Sequence, residues 1–458
     1  ANAADTATVT LSDGTTILTS SALAVNPSAT VTYTMNGSTL VDGAITIQVN
    51  ATDAMGNPSS FGGTAATKDS TAPSAPAFFI VPAGVTNPIH KVNSFTVSSV
   101  NFAINWPSTS VNADQAVLTL TDSLAAQFTR GPFSAPNGGG VVIYTANNLS
   151  ALADGALALT MTVTDTAGNA VNFTGSTATK DVVLVNATAA SVTNTPANFI
   201  NAANQASTTV QVTMPGTATG EELVRVALFD GLFSIQSAQQ TAAAGGGVMT
   251  FAGLNASGLP QGAITISVTV RDAAQNTQSF TGTAATKDTV APAGPVSGGV
   301  ASGAQNAANV INAATAGAAS VGLTYTAGAA GETAQVTLTD GSTNVSSSAQ
   351  ALPVGGGAMT FTSLNVSGLA EGTITISVST TDAAQNSTST SVTQATKDTV
   401  IAAPLAATIP AGAGNSANAI ASANAASTSV QVTMAASADG PESAQVTLSD
   451  GTASVASS

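Results

Sequence analysis

Acidic side chains are scarce in this sequence, 23 of 458 residues, and 16 of them recur at fixed places. Asp53, Asp165, Asp272 and Asp382 each open an Asp-x-x-x-Asn segment. Asp69, Asp181, Asp288 and Asp398 each close a Thr-Lys-Asp tripeptide. Asp42, Asp154 and Glu371 precede a Gly, with Gln261 as the variant. Asp13, Asp230, Asp340 and Asp450 sit in Leu-x-Asp-Gly runs, with Asp122-Ser123 as the variant. Carboxylates fixed in this way can do one of two things. They can gather around a hard cation, since calcium takes several oxygen ligands at about 2.3–2.6 Å. On that reading Asp53, Asp69, Asp165, Asp181, Asp272, Asp288, Asp382 and Asp398 are the candidate metal ligands. Alternatively they shape turns, because Asp and Asn side chains bond nearby backbone N–H groups.

Other chemistry is poorly supplied. One His and no Cys remove most nucleophile–base pairs and most zinc or iron sites. A net charge of -15 argues against nucleic acid, which needs a basic face. Two carboxylates could in principle hydrolyse a glycoside. A catalytic pair would be unique to one place, whereas these acids recur, so no enzyme is expected. Lys68, Lys180, Lys287 and Lys397 are half of the eight basic residues. They could form intramolecular crosslinks, or simply place a charge at the end of a strand. The Gly-Gly-Gly stretches at 138–140, 245–247 and 355–357 lack the Lys-Ser/Thr of a phosphate loop. They read as turns.

The elements that position these residues form a repeat. Thr-Lys-Asp recurs with Lys at 68, 180, 287 and 397, so the unit is about 110 residues. Ile264, Ile266, Val268 and Val270 alternate with Thr265, Ser267 and Thr269, and the other units repeat the alternation. Period two means a strand with one buried face. Asp-Gly and Gly-Gly-Gly supply residues that accept positive φ at turns. The expected fold is therefore all-β: a tandem array of Ig-like antiparallel β-sandwiches. The Ala-Asn-rich runs near 200–207 and 415–427 lack an apolar stripe and are expected as loop and edge strand. Trp106, the single Trp, falls on an inward-facing strand position, and His90 falls in a loop. With 7% charged residues, the surface must be Ser, Thr, Asn, Gln, Gly and Ala. No run of about 18 apolar residues suggests a membrane span.

The Asp-Gly, Thr-Ile-Thr-Ile, Asp-Ala-x-x-Asn and Lys-Asp-(Ser/Thr)-x-Ala-Pro elements, best seen from Asp42 through Pro73, closely resemble the bacterial Ig-like repeats of giant surface adhesins and biofilm-associated proteins. The resemblance covers essentially the whole chain. Departures are Gln275 and Gln385, where the family has Gly, and Val-Val-Leu-Val after Asp181. It implies calcium at domain junctions, stiffening the string. The expected units are 1–70, 71–182, 183–289, 290–399 and 400–458, the first and last truncated, so the sequence reads as a window of a longer polypeptide. The expected role is non-enzymatic: an extracellular stalk or spacer on the bacterial cell surface, in cell adhesion or biofilm matrix. The alternative is a self-assembling subunit of a surface layer, sheath or extracellular filament. Expected partners are neighbouring repeats of the same chain and lateral homotypic contacts, with no nucleic acid and no membrane insertion. At about 40 Å per unit, from a rise of about 3.4 Å per residue in 7–10-residue strands, the chain would extend roughly 150–180 Å.

Overall fold

The computed structural model describes residues 5–26, 28–435 and 443–458. Among them the chain is all-β: three antiparallel β-sandwiches in succession, preceded over residues 5–68 by a single six-stranded sheet and followed by two two-stranded pairs. The one helical element among the described residues is a single 3-10 turn, Gln205–Ser207. It falls in the Ala-Asn run expected as loop and edge strand. There Asn201 accepts the N–H groups of Ala203 and Asn204 and winds the chain into turns.

The third unit shows the construction. Its smaller sheet runs Ala189–Val192, Thr208–Met214, Gly247–Leu254. Its larger sheet runs Phe199–Ile200, Ala285–Lys287, Gly262–Arg271, Leu223–Phe229, Ser234–Gln236. Two further short strands flank that path: Gln240–Thr241 on Leu223–Phe229 and Thr277–Thr281 on Gly262–Arg271. The alternation read from the sequence decides which face is buried. Ile264, Ile266, Val268 and Val270 are closed to solvent, while Thr265 is exposed. They meet Val210, Val212 and Phe251 of the smaller sheet in one core. Each such side chain contributes about 1.5–3 kcal/mol relative to exposure. The second unit (core from Phe79 to Ala178) and the fourth (core from Val300 to Ala395) have separate cores of their own.

The Gly-rich stretches are turns, with a specific cause. Gly246 adopts φ +70°, and a Cβ there would stand 2.1 Å from the carbonyl oxygen of Pro215. Only Gly lets the two backbones pass this closely. The second unit holds nine of the 18 aromatic residues, most of them in its core or packed against it. Phe79, Phe102 and Trp106 are buried, and Trp106 stacks edge-on against Phe133. His90 holds φ +60°, at the position filled by Asn198 and Asn309 in the next two units.

One edge of each complete sandwich is closed by a short parallel pair. Lys91–Val92 pairs with Ala178–Lys180, Phe199–Ile200 with Ala285–Lys287, and Val310–Ile311 with the end of Ser387–Lys397. This pairing carries the end of the last strand, and the linker Asp after it, alongside the start of the unit.

Candidate functional site at the seams

The Asp-x-x-x-Asn segment closes on itself. Asp272 Oδ1 accepts the Asn276 N–H at 2.9 Å, and Asp272 Oδ2 accepts Asn276 Nδ2 at 2.7 Å. The same two bonds form between Asp53 and Asn57, Asp165 and Asn169, and Asp382 and Asn386. The residue before the Asn is left-handed: Gly56, Gly168, Gln275 and Gln385 have φ between +66° and +93°. The Asn side chain beside each carboxyl is the main reason Asp53 and Asp165 titrate below the usual range.

Three of the four turns meet the linker Asp that precedes their own unit, not the one that follows. Asn169 Nδ2 donates to the main-chain oxygen of Asp69 at 3.1 Å, Asn276 Nδ2 to Asp181 at 2.9 Å, and Asn386 Nδ2 to Asp288 at 2.9 Å. The chain therefore groups Asp69 with Asp165, Asp181 with Asp272, and Asp288 with Asp382. Asp53 and Asp398 belong to this set by sequence, with no such counterpart among the described residues. At the middle seam burial pushes the Asp181 carboxyl up, and the charges of Asp272 and Asp154 add to that. Among the described residues no three His, Cys, Asp or Glu side chains gather closely enough to share a metal ion.

The other registered acids have structural partners. Asp340 Oδ1 accepts the N–H groups of Ser342 and Thr343 across the hairpin, and Oδ2 accepts that of Ala370 at 2.8 Å. Asp13 and Asp122 repeat this with Val41 and Ala153. The acid before Gly anchors the linker. Glu371 accepts Lys397 Nζ and the Thr399 N–H, each at 2.8 Å. Asp154 accepts Lys180 Nζ at 2.6 Å and the Val182 N–H at 3.1 Å. Asp42 pairs with Lys68 at 3.0 Å and takes the Ser70 N–H. The repeated lysines are thus ion-paired at the end of the last strand. The exception is Lys287, which donates to the carbonyls of Ser257 and Leu259; Gln261 stands at the position of Glu371 and bonds Thr289.

Asn93 and Asn201 also lie at the seams, and nothing acidic marked them. The available signal was the recurrence of an aliphatic residue before Asn at Val92-Asn93, Ile200-Asn201 and Ile311-Asn312.

No helix among the described residues is long and apolar enough to cross a membrane. No family model matches the chain, and no curated protein matches it. Among solved structures it is similar to a tetra-tandem repeat from the extending region of a large adhesion protein. That match has 21% identity and a TM-score of 0.32, covering 87% of this chain and 94% of that one. It is also similar to a Ca2+-stabilized adhesin with which an Antarctic bacterium binds ice, at 23% identity and a TM-score of 0.35, covering 87% and 91%. A third similar structure comes from a 1.5-MDa bacterial ice-binding adhesin, at 19% identity and a TM-score of 0.31, covering 68% and 95%.

Proposed function

We propose that this chain is a non-enzymatic structural repeat region, a stalk or spacer of a large bacterial adhesin acting in cell adhesion or biofilm matrix. The units are 1–70, 71–182, 183–289, 290–399 and 400–458. One observation carries the reading: the seam at Asp181–Asp272 and the seam at Asp288–Asp382 are built alike, from the same residue types and bonds. A repeated seam between separate cores makes a linear element, in which each unit touches mainly its neighbours. The registered carboxylates serve turns and seams, which leaves no unique pair for a reaction. The setting is the bacterial cell surface, outside the cell. The test is small-angle scattering of the 458-residue chain, expected to give an elongated monomer of roughly 150–180 Å. A compact particle, or ordered lateral arrays by electron microscopy, would reject the stalk.

Calcium at the junctions belongs to the same proposal. The donor chemistry fits best at the middle seam, where Asp181 and Asp272 crowd two carboxylates into a partly buried place. Asp69 with Asp165 and Asp288 with Asp382 offer the same residue types, and Asp53 and Asp398 complete the set. A bound cation would relieve the repulsion between the two charges. Binding to the folded state alone stabilises by about 2.7 kcal/mol at a hundredfold excess over Kd. Chelator should therefore lower the melting temperature of the chain, and an unchanged melt rejects the cation.

A further inference from the structure

The turn carboxylates do not account for all of the seam. In the second unit the parallel edge pair ends with the Asp181 N–H on the Val92 oxygen at 2.8 Å; in the third, with the Asp288 N–H on Ile200 at 2.9 Å. The next residues along the first strands are Asn93 and Asn201. Asn93 Nδ2 reaches the Ala274 carbonyl of the following unit at 2.7 Å, and Asn201 Nδ2 reaches the Ala384 carbonyl at 2.7 Å. In return, the Ser94 N–H donates to Asn276 Oδ1 at 2.8 Å and the Ala202 N–H to Asn386 Oδ1 at 3.0 Å. Together with the bonds to Asp181 and Asp288, three cross-seam hydrogen bonds recur in the same order at both seams.

Burial separates docked copies of these residues from undocked ones. Asn93, Asn201, Asn276 and Asn386 are at most 5% exposed, and Ala274 and Ala384 are fully buried. In the first unit the same turn is open, with Asn57 exposed and Met55, at the position of Ala274, 87% exposed. On the fourth unit Asn312 is half-buried and lines an open depression of about 440 Å³ with Ala313, Ala314 and residues 398–401.

We infer that Asn93, Asn201 and Asn312 are the seam-determining residues of this chain. Each forms a socket for the Asp-x-x-x-Asn turn of a following unit, and the paired asparagines set the angle between units whether or not a cation is bound. This rests on the stalk reading and adds to it the residues that hold successive units in register. The physics is directional. A buried carboxamide left unpaired is penalised, so both must keep their partners. A donor and an acceptor crossing the seam in opposite senses accept only one rotation of unit against unit. Both groups are neutral, so salt does not screen them as it screens surface ion pairs.

The test uses the full chain, which has no Cys of its own, with Thr250→Cys and Thr360→Cys carrying spin labels. Both positions are exposed and occupy equivalent strands of the third and fourth units. The parent should give one narrow distance distribution. Asn201→Asp, which turns the donor into a charged acceptor facing the Ala384 carbonyl, should at least double its width, in calcium and in chelator alike. Asn201→Ala should broaden it too, and Asn312→Asp should leave it narrow. Circular dichroism verifies that the sheets persist. A distribution as narrow in both Asn201 variants as in the parent overturns the inference. So does a parent distribution that is narrow only with calcium, since a cation would then set the angle. If the parent is elongated by scattering and broad in both conditions, the asparagine pairing fails and the stalk stands; a compact parent fails the stalk itself.

Discussion

Asp340 Oδ2 accepts the backbone N–H of Ala370 at 2.8 Å, tying a hairpin tip to the loop before the central strand. In the third unit the corresponding pair is Asp230 and Pro260. Proline has no N–H to give, and Asp230 Oδ2 is buried with no hydrogen-bond partner among the described residues. Pro260→Ala should restore the bond and raise the melting temperature of that unit. The gain is offset in part by the greater freedom of the unfolded chain. Ala370→Pro should lower the fourth unit by a few degrees. Calorimetry of the two variants checks both signs.

The third unit also lacks a carboxylate for its lysine. Burial pushes the Lys287 pKa below its ordinary 10.5. Between the lowered value and 10.5 the native state holds fewer protons than the unfolded chain, so stability rises with pH through that window. Gln261→Glu should pair with Lys287 as Glu371 pairs with Lys397. It should raise stability at pH 7 and flatten the rise toward pH 10. Thermal melts at the two pH values decide it; a variant that still gains stability toward pH 10 as the parent does would count against the pairing.

Trp106 reports on one unit alone. Its indole N–H donates to the Tyr144 hydroxyl at 3.2 Å, and Phe133 packs against both rings. Tyr144→Phe removes the acceptor and leaves a buried donor unpaired, at about 1 kcal/mol. Denaturant titration followed by the single tryptophan should show the earlier midpoint. Probes of the whole chain should shift less.

Acid should act late. Asp340 is held well below the usual range, first by the Ala370 N–H; Asp13 likewise by Thr16 and Asp42 by Ser70. Glu371 is lowered to about 2, chiefly by the Lys397 ammonium. A depressed carboxyl stabilises fully above its unfolded value, near 3.8 for Asp, and is lost only as pH falls through the folded one. The chain should stay folded at pH 4 and lose stability progressively below it. Circular dichroism from pH 5 to pH 2 would show this, and loss of structure already at pH 5 would contradict it.

Most of the sheet was legible because its signals are local. Ile264 through Val270 alternate, and that alone assigns the buried face. Asp340-Gly341 names its own hairpin. The seam was not legible, because its partners lie far apart in sequence. Asn93 meets Ala274, and Asn276 meets Asp181. The carboxylates marked turns that lie at the seams, but sequence order does not show that the turns of Asn169, Asn276 and Asn386 dock on the linker before their unit. That follows from where the sheets place the turn. Gln275 and Gln385 looked like departures from a Gly position. Both adopt the left-handed conformation anyway, with the surrounding bonds from Asp272 and Asp382 holding them there.

The short parallel edge pairs have a mechanical consequence. Thr179 and Asp181 bond to His90 and Val92, Thr286 and Asp288 to Asn198 and Ile200, and Thr396 and Asp398 to Asn309 and Ile311. Parallel strands pulled from opposite termini slide past one another. Tension arriving through the linkers would load each of these bond pairs together, in shear, instead of peeling them one after the other. The two-residue strands Lys91–Val92, Phe199–Ile200 and Val310–Ile311 are therefore placed to resist force.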